Sequence, residues 1–330
     1  MSVRRLPKVK FSAISSYLPE TVIENDDIMK AFGSSSPGNL LFRAVGARKK
    51  RVCLPNESGS DMIAEVGRNL LKATGYEATS IDKLICSCDP GDHAAPDSAV
   101  VAQSKIGLSC PAFGVSMSCV GWICGVNIAA QFIASGDSRI MVVGSSTVGS
   151  KMAFENPMHR AIFGDGAAGV ILEASDIGQI LSLDIFSVGE FYSKIFASYP
   201  WTRQPSEIPE KYKNAFYMHP DNRLFFDALD KHIRPFYFNQ FQVANVKPED
   251  IDVFIVHQAS MPLFNHTVQS FNIPRERVVD SYAEYGNTIS AELPMLLDIN
   301  IRNGRIMKGN LVYLLTYGAG FTAGAMILKI

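Results

Sequence analysis

Two segments of this 330-residue chain repeat one pattern 170 residues apart, and this repeat limits the folds that the chain can adopt. Ile81-Asp-Lys-Leu-Ile-Cys in the first half matches Ile251-Asp-Val-Phe-Ile-Val in the second half. Near the same offset, the apolar pattern Ile140-Met-Val-Val-Gly corresponds to Leu311-Val-Tyr-Leu-Leu. A duplicated α/β architecture explains both matches, with two similar halves that pack their strands into a common core.

Helix and strand patterns alternate along the chain. Residues 61–73 have apolar side chains at helical spacing and end before Gly75, which predicts an amphipathic helix. Residues 123–134 predict a buried helix, and residues 140–143 predict a strand after a short polar turn. This order predicts a parallel sheet with both faces covered, and we expect two halves that span residues 1–175 and 176–330.

One long segment, residues 186–241, breaks this alternation because it is rich in aromatic residues, prolines and charges. Its most unusual stretches are Tyr-Pro-Trp-Thr-Arg-Gln-Pro at residues 199–205 and Glu-Ile-Pro-Glu-Lys-Tyr-Lys at residues 207–213. Two interpretations are open. The segment either connects the halves and walls a substrate pocket, or it is an ordinary insertion with its own small aromatic core.

The composition excludes several classes of protein. With 47% hydrophobic and 19% charged residues the chain is globular, and no apolar run approaches the roughly 18 residues of a membrane span. A formal net charge of −1 gives no overall attraction to nucleic acid or acidic membranes. The chain starts without the apolar segment of a signal peptide, and its six cysteines lack the spacing of a disulfide framework. We therefore expect a cytoplasmic protein with reduced thiols, no metal, and no nucleic-acid or membrane partner.

Cys119 stands where an apolar strand pattern that begins at Phe113 meets an apolar helix pattern. The N–H groups and the dipole of a helix N-terminus stabilise an anion and can lower the pKa of a thiol. Gly121 and Gly125 would let this helix approach the strands closely. From the local sequence alone, Cys119 is either a nucleophile or a small buried hydrophobic residue.

Three segments of the second half carry further polar groups at element ends. His257 follows a predicted strand, a position where open α/β sheets present ligand-binding groups. Asn287 and Thr288 form a turn that opens a helix, and Gly318 lies in a glycine-rich stretch whose backbone N–H groups could face a site. Each has a simpler interpretation, as a structural histidine, a helix cap and a tight turn.

Together these motifs resemble the β-ketoacyl-acyl-carrier-protein synthase III family over nearly the whole chain. The residues that carry the resemblance are, in order, Pro96-Asp-Ser-Ala, Cys119, Phe163-Gly-Asp-Gly, His257-Gln-Ala, Gly286-Asn-Thr and Gly318-Ala-Gly-Phe-Thr. The resemblance implies the thiolase fold, an α/β fold with five layers in the order αβαβα. It also implies an acyltransferase that acts as a ketosynthase in fatty acid or polyketide biosynthesis, and a homodimer.

The family's chemistry assigns a role to each matched residue. Cys119 would take an acyl group from a thioester, and the backbone N–H groups of Cys119 and Ala319 would form the oxyanion hole. His257 and Asn287 would bind the carbonyl of a second thioester, a malonyl or β-ketoacyl group on a carrier protein. The implied pocket and support residues are Gly318, Gly320 and Phe321. No cofactor is expected, because phosphopantetheine or coenzyme A only carries the substrates.

The chain departs from the family where relatives bind coenzyme A. The tryptophan that stacks on the adenine corresponds to Leu40. Other nucleotide-binding positions hold Ala44, Pro157, Ser260 and Pro262, with Arg43 and Arg160 nearby as possible replacements. Losing stacking and charge-assisted hydrogen bonds weakens binding of a nucleotide. We therefore expect an acyl carrier protein, rather than coenzyme A, as the acyl donor in specialised lipid or polyketide biosynthesis.

Carrier proteins are acidic, so a basic docking surface is expected. The run Arg48, Lys49, Lys50 and Arg51 is one possibility, together with Arg302, Arg305 and Lys308. The alternative is a solvated edge of the protein.

Glu292 stands where relatives usually have a small residue. If its carboxylate reached the pocket, it could act as a base in an enzyme that joins and cyclises two β-ketoacyl chains. The simpler interpretation is a surface or salt-bridged helix glutamate. Two further alternatives are acyl transfer to a hydroxyl or amine, with His257 as the base, and a non-catalytic partner subunit that pairs with a paralogue.

Overall fold

The computed structural model describes residues 7–197, 206 and 215–330. Its strands are β1 (Val9–Tyr17), β2 (Val22–Glu24), β3 (Lys49–Arg51), β4 (Lys83–Asp89), β5 (Ala112–Gly114), β6 (Arg139–Ser146), β7 (Gly166–Ala174), β8 (Ile180–Ser187), β9 (Ile195–Ala197), β10 (Phe216–Met218), β11 (Val253–Val256), β12 (Leu311–Gly318) and β13 (Thr322–Lys329). Its helices are α1 (Asn25–Ala31), α2 (Asn39–Val45), α3 (Gly59–Thr74), α4 (Ser98–Ile106), α5 (Gly121–Ala134), α6 (Val148–Lys151), α7 (Pro157–Ile162), α8 (Asn222–Ala228), α9 (Arg234–Ala244), α10 (Met261–Ser270), α11 (Tyr282–Tyr285) and α12 (Glu292–Arg302).

Two mixed sheets form the framework. The first has the strand order β1-β7-β6-β4-β5, and the second has the order β11-β12-β13-β8. Strands β4, β5 and β6 are parallel, but β7 is antiparallel to β6 and to β1. The prediction of a parallel sheet is therefore wrong at β7, which runs against both of its neighbours. The reason is the connection from β6 to β7, which carries α6 and α7 beyond the carboxyl end of β6 and turns the chain back without a crossover.

The predicted duplication is confirmed by the topology. The order β1-β7-β6-β4 in the first half has its counterpart in β8-β13-β12-β11, with one parallel pair and two antiparallel pairs in each. Helices α5 and α12 are also equivalent. Each follows a single 3₁₀ turn. The first residue of each turn has a left-handed φ, 45° at Ser118 and 53° at Ile289.

The sheets and helices form the predicted five layers, αβαβα. Helices α3 and α4 cover the outer face of the first sheet, α5 and α12 lie between the sheets, and α9 and α10 cover the outer face of the second. Side chains alternate along the strands to serve both faces. In β4, for example, Ile85 packs into the central layer while Leu84 and Cys86 pack under α3.

The central helix α5 lies close to the first sheet because its glycines have no side chain. A Cβ atom at Gly121 would stand 1.9 Å from Ser87 Oγ, and one at Gly125 would stand 2.8 Å from Val142 Cγ1. This confirms the close approach that the sequence predicted. The predicted helix over residues 61–73 is also present as α3, which ends at Gly75 with a left-handed φ of 70°.

The segment 186–241 contains a small antiparallel pair, β9 and β10, followed by α8 and α9. The stretches 199–205 and 207–213, which the sequence analysis singled out, lie outside the described residues. In the part of the chain that the structure describes, no helix is long and apolar enough to cross a membrane.

Candidate active site

A cavity of about 510 Å³ opens where the carboxyl ends of β4, β11 and β12 meet. It is lined by both halves of the chain, with Cys119 from the first and His257, Asn287, Ala319 and Phe321 from the second. The structure thus brings the three predicted catalytic residues into the lining of one cavity, although they lie far apart in the sequence.

Cys119 lies in the 3₁₀ turn Ser118–Val120 just before α5. The preceding strand, β5, ends at Gly114, so it is shorter than the sequence pattern suggested. The hydroxyl of Thr316 donates a hydrogen bond to the carbonyl of Cys119 at 2.9 Å. A Cβ atom at Gly318 would lie 3.3 Å from Cys119 Sγ, so glycine at this position leaves room for the thiol.

The accessibility of Cys119 separates it from the other thiols. It is half-buried and faces the cavity. Burial raises the pKa of the other five, which are Cys53, Cys86, Cys88, Cys110 and Cys124. Of these five, only Cys88 also lines the cavity, and its thiol donates a hydrogen bond to the carbonyl of Pro90 at 3.4 Å.

His257 directly follows β11, and its backbone N–H donates to the carbonyl of Leu315 at 2.8 Å. Its side chain is fully buried, and Nδ1 lies 2.5 Å from Glu292 Oε2. Burial by itself lowers the pKa of this imidazole. The negative charges of Cys119 and Glu292 outweigh burial and raise the pKa to about 10.

The backbone of Asn287 is held between two hydrogen bonds. Its N–H donates to Ile162 at 2.8 Å, and its carbonyl accepts from the N–H of Gly164 at 3.1 Å. The side-chain oxygen accepts from the N–H of Ile289 at 2.8 Å, and the amide nitrogen lies 3.5 Å from the carbonyl of Ala259. Asn287 therefore caps the following turn, as the simpler interpretation held, and also faces the cavity.

The glycine-rich stretch lines the cavity next to Cys119. Gly318, Ala319 and Phe321 line the cavity, whereas Gly320 lies behind them with a φ of 131° and forms the turn between β12 and β13. The ring of Phe321 is buried and packs against Phe191 at a centroid distance of 5.7 Å.

Glu292 does not reach the cavity. Its side chain is buried, with Oε2 turned towards His257 and Oε1 accepting the N–H of Gln258 at 2.9 Å. The interpretation of Glu292 as a base inside the pocket is therefore wrong. The alternative, a salt-bridged helix glutamate, describes the structure, but its partner is the predicted catalytic histidine.

The prediction that Lys50 belongs to a basic docking surface for a carrier protein is also wrong. Lys50 is 1% exposed, and its Nζ donates to the carbonyl of Ala161 at 2.8 Å and lies 3.3 Å from Asn25 Oδ1. Burial lowers the pKa of Lys50 to about 7. Lys50 cannot meet a partner protein because strand β3 points it inwards. Of its neighbours, Lys49 forms an ion pair with Glu284 at 2.8 Å. Docking through Arg48, Lys49 and Arg51 stays a prediction.

Two of the departures from the coenzyme A site lie together on the surface. Ala44 and Pro262 line a second cavity, where Arg43 supplies a positive charge. The ring of Phe42 lines it too, but the guanidinium of Arg48 covers that ring at 5.0 Å. Arg160, the other possible replacement, lines a different cavity, with Phe154 and Asp27.

Segment 186–241 contributes to the cavity wall, as one of its two interpretations held, but the individual lining residues were not predicted from the sequence. One group is apolar and comes from β9, β10, α7, α10 and the segment around α6: Val148, Met152, Ile162, Phe163, Ile195, Phe196, Phe216, Met218 and Leu263. Another is polar and includes Asp89, whose pKa burial raises to about 6. The repeat could have located Asp89, because an offset of 170 places it on Ala259, which also lines the cavity.

Among residues 7–197, 206 and 215–330, no group of three His, Cys, Asp or Glu side chains is placed to hold a metal ion.

Comparison with known proteins supports the family resemblance that the motifs indicate. One family model, described as 3-oxoacyl-[acyl-carrier-protein] synthase III, matches residues 113–189, and its C-terminal counterpart matches residues 241–330. A β-ketoacyl-[acyl-carrier-protein] synthase III of Alkalilimnicola ehrlichii is 30% identical over 319 residues, which cover 95% of this chain and 97% of that protein. The chain belongs to the 3-oxoacyl-[acyl-carrier-protein] synthase III family.

Other members of the synthase III family agree over the full length. A β-ketoacyl-[acyl-carrier-protein] synthase III of Vesicomyosocius okutanii is 29% identical over 324 residues, which cover 97% of this chain and 99% of that protein. The solved structure of synthase III from Thermus thermophilus has a TM-score of 0.87 at 26% identity, and the match covers 97% of this chain and 98% of that one. The predicted thiolase fold is thereby confirmed.

Proposed function

We propose that this protein is a condensing enzyme that loads an acyl chain onto Cys119 and joins it to a malonyl or β-ketoacyl thioester on a carrier protein. The observation that carries the proposal is the cavity that Cys119, His257 and Asn287 line together. One cavity thus offers a thiol for covalent catalysis and two polar side chains for a second thioester.

In the first step the Cys119 thiolate attacks the carbonyl carbon of an acyl thioester. The carbon–sulfur bond to the carrier then breaks, and the carrier leaves as a thiolate that takes a proton from solvent. Backbone N–H groups of Cys119 and Ala319 would stabilise the charge on the carbonyl oxygen in the transition state. The apolar wall that includes Ile195, Phe216 and Met218 suits an alkyl chain.

In the second step a malonyl thioester enters the cavity and loses carbon dioxide. The electron pair of the broken carbon–carbon bond becomes an enolate, whose oxygen would accept hydrogen bonds from His257 and Asn287. The enolate carbon attacks the acyl group on Cys119, a new carbon–carbon bond forms, and the thiolate of Cys119 is released.

We propose an acyl carrier protein as the donor, in a specialised pathway. Support comes from the second cavity, where Ala44 and Pro262 stand in place of nucleotide-binding side chains and Phe42 is covered by Arg48. Leu40 on α2 is 47% exposed and offers no ring for an adenine. Coenzyme A would therefore lose most of its nucleotide contacts, whereas a phosphopantetheine arm would not.

The experiment that tests condensation separates the two steps with Asn287→Ala. We expect the variant to form the acyl-enzyme within about threefold of the wild-type rate, since Asn287 acts on the second substrate. Release of carbon dioxide from malonyl-carrier protein is expected to fall by about 100-fold or more, as for loss of a transition-state hydrogen-bond donor. Loading followed by intact-protein mass spectrometry serves as the internal control. Unchanged release of carbon dioxide would contradict the proposal.

A second function, acyl transfer to a hydroxyl or amine, is favoured by one observation. A carboxylate at Nδ1 of His257 resembles the arrangement that makes a histidine a general base for an alcohol. Incubating the acyl-enzyme with alcohols and amines in the absence of malonyl thioester distinguishes the two functions. Ester or amide products, with no carbon dioxide released when malonyl-carrier protein is added, would favour transfer.

A further inference from the structure

The Glu292 carboxylate lies one layer behind the cavity wall, at the first residue of α12. Its side chain is nearly without solvent contact, and its two oxygens have separate partners. Oε2 lies 2.5 Å from Nδ1 of His257, and Oε1 accepts the backbone N–H of Gln258 at 2.9 Å. Glu292 thus contacts the imidazole at Nδ1 and does not itself line the cavity.

The surrounding hydrogen bonds fix this geometry. The side chain of Gln258 accepts the N–H of Ser281 at 3.0 Å and donates to the carbonyl of Val279 at 3.3 Å. The backbone of His257 is itself anchored to Leu315 of β12. A buried charge is tolerated only where its partner is held in place, and here both partners are held by backbone contacts.

In the described part of the chain, the ionisable groups that face His257 and Glu292 supply no positive charge. The proton on His257 therefore balances the negative charge of Glu292. Cys119 and Tyr317 face the imidazole, the tyrosine ring at a centroid distance of 5.7 Å, and Tyr282 faces Glu292. Burial raises the pKa of both tyrosines, so they stay neutral. Among the ion pairs of the described residues, none joins Glu292 to a lysine or arginine.

We propose that Glu292 is a positioning residue that acts through His257, holding one proton on Nδ1 so that Nε2 exchanges the second proton with Cys119. In the exchange the Sγ–H bond of Cys119 breaks and an N–H bond forms at Nε2. The products are a thiolate and an imidazolium, and no other reactant is needed. What the thiolate then attacks rests on the proposed function, but the proton exchange does not.

The consequence concerns the pH range in which Cys119 reacts. An imidazolium next to Glu292 stays charged through neutral pH and keeps its neighbouring thiolate populated at low pH. Without the carboxylate, burial of His257 favours the neutral imidazole, and the thiolate becomes populated only at higher pH.

The test is the rate at which iodoacetamide alkylates Cys119 from pH 5.5 to pH 9.5, followed by mass spectrometry of the full-length protein. For Glu292→Gln we expect a rate at least about tenfold below the wild type at pH 6.5, and rates that converge above about pH 9. Glu292→Asp keeps the charge and is expected to stay within about threefold of the wild type at every pH. A structural defect would instead slow alkylation equally across the range.

Two results would overturn the inference. One is a Glu292→Gln profile that superimposes on the wild type, and the other is a loss by the same factor at every pH. If the glutamine variant does not fold, nitrogen NMR of the wild-type histidine rings decides, with His257→Gln to identify the signal. Both nitrogens of His257 are expected to carry protons at pH 8.5, and a singly protonated ring would contradict the inference. Because alkylation needs no acyl donor, a failure of the proposed function is seen separately.

Discussion

At the scale of single residues, the position of the nucleophile depends on the absence of a side chain at Gly318. Its Cα faces the turn that carries Cys119, and the space between the two residues is too small for a methyl group without a shift of the cysteine. The carbonyl of Cys119 is also tied to Thr316, two residues earlier on the same strand. The thiol is therefore placed by β12 of the second half as much as by α5 of its own half.

Gly318→Ala is expected to slow acyl loading. The new Cβ would lie 3.1 Å from Cys119 Cβ and 3.3 Å from Sγ, so the thiol has to move by a few tenths of an ångström. A displacement of this kind at a reacting atom lowers the rate by about 10- to 100-fold. The measurement is the single-turnover loading rate. Gly178→Ala, whose new Cβ would meet nothing closer than 3.5 Å, is the matched control. Equal rates in both variants would show that Gly318 does not position Cys119.

Single residues also show why parts of the site could not be predicted. The pattern of β3 does not reveal that Lys50 points inwards, because its partners Asn25 and Ala161 come from α1 and α7. In the same way, the pairing of Glu292 with His257 joins α12 to the end of β11. Both are tertiary contacts between distant segments, whereas sequence periodicity reports only on local structure.

At the scale of elements, each half positions a polar group with the same local structure, a 3₁₀ turn ahead of a central helix. The turn before α5 carries Cys119, and the turn before α12 follows Asn287. The sequence predicted both strand-to-helix junctions and the duplication that relates them. It could not predict the left-handed backbone at Ser118 and Ile289, since neither residue type favours it.

The contact between α5 and the first sheet yields a stability prediction. In Gly121→Ala the added Cβ would stand 1.9 Å from Ser87 Oγ and 2.6 Å from Ser87 Cβ, both on the neighbouring strand. Relieving this overlap moves the helix away from the sheet, and we expect a loss of about 1–3 kcal/mol in the free energy of unfolding.

Urea unfolding followed by circular dichroism measures this loss. Gly189→Ala is the control, because its new Cβ meets nothing within 4 Å and its change should stay within about 0.5 kcal/mol. If Gly121→Ala were as stable as this control, the close approach of α5 would not matter for stability.

At the scale of the whole molecule, the site exists only because two similar halves are joined face to face. The first sheet takes its strands from residues 9–174 and the second from residues 180–329, and the cavity lies where the carboxyl ends of strands from both sheets meet. The resemblance of the motifs implied this architecture and the three residues at its centre. The motifs did not reveal which residues of β9 and β10 line the cavity. A family motif reports the reacting groups, whereas these lining residues would contact the acyl chain. The division at residue 175 and the homodimer stay predictions.

The central claim is that Cys119 carries the acyl group. The most direct measurement is intact-protein mass spectrometry after incubation with acyl-carrier proteins of several chain lengths, with acyl-coenzyme A in parallel. We predict one acyl adduct on the wild type and on Cys88→Ala, which removes the other thiol of the cavity, and none on Cys119→Ala. The carrier protein is expected to load faster than coenzyme A. An adduct that persists on Cys119→Ala, or no adduct on the wild type from any donor, would contradict the account.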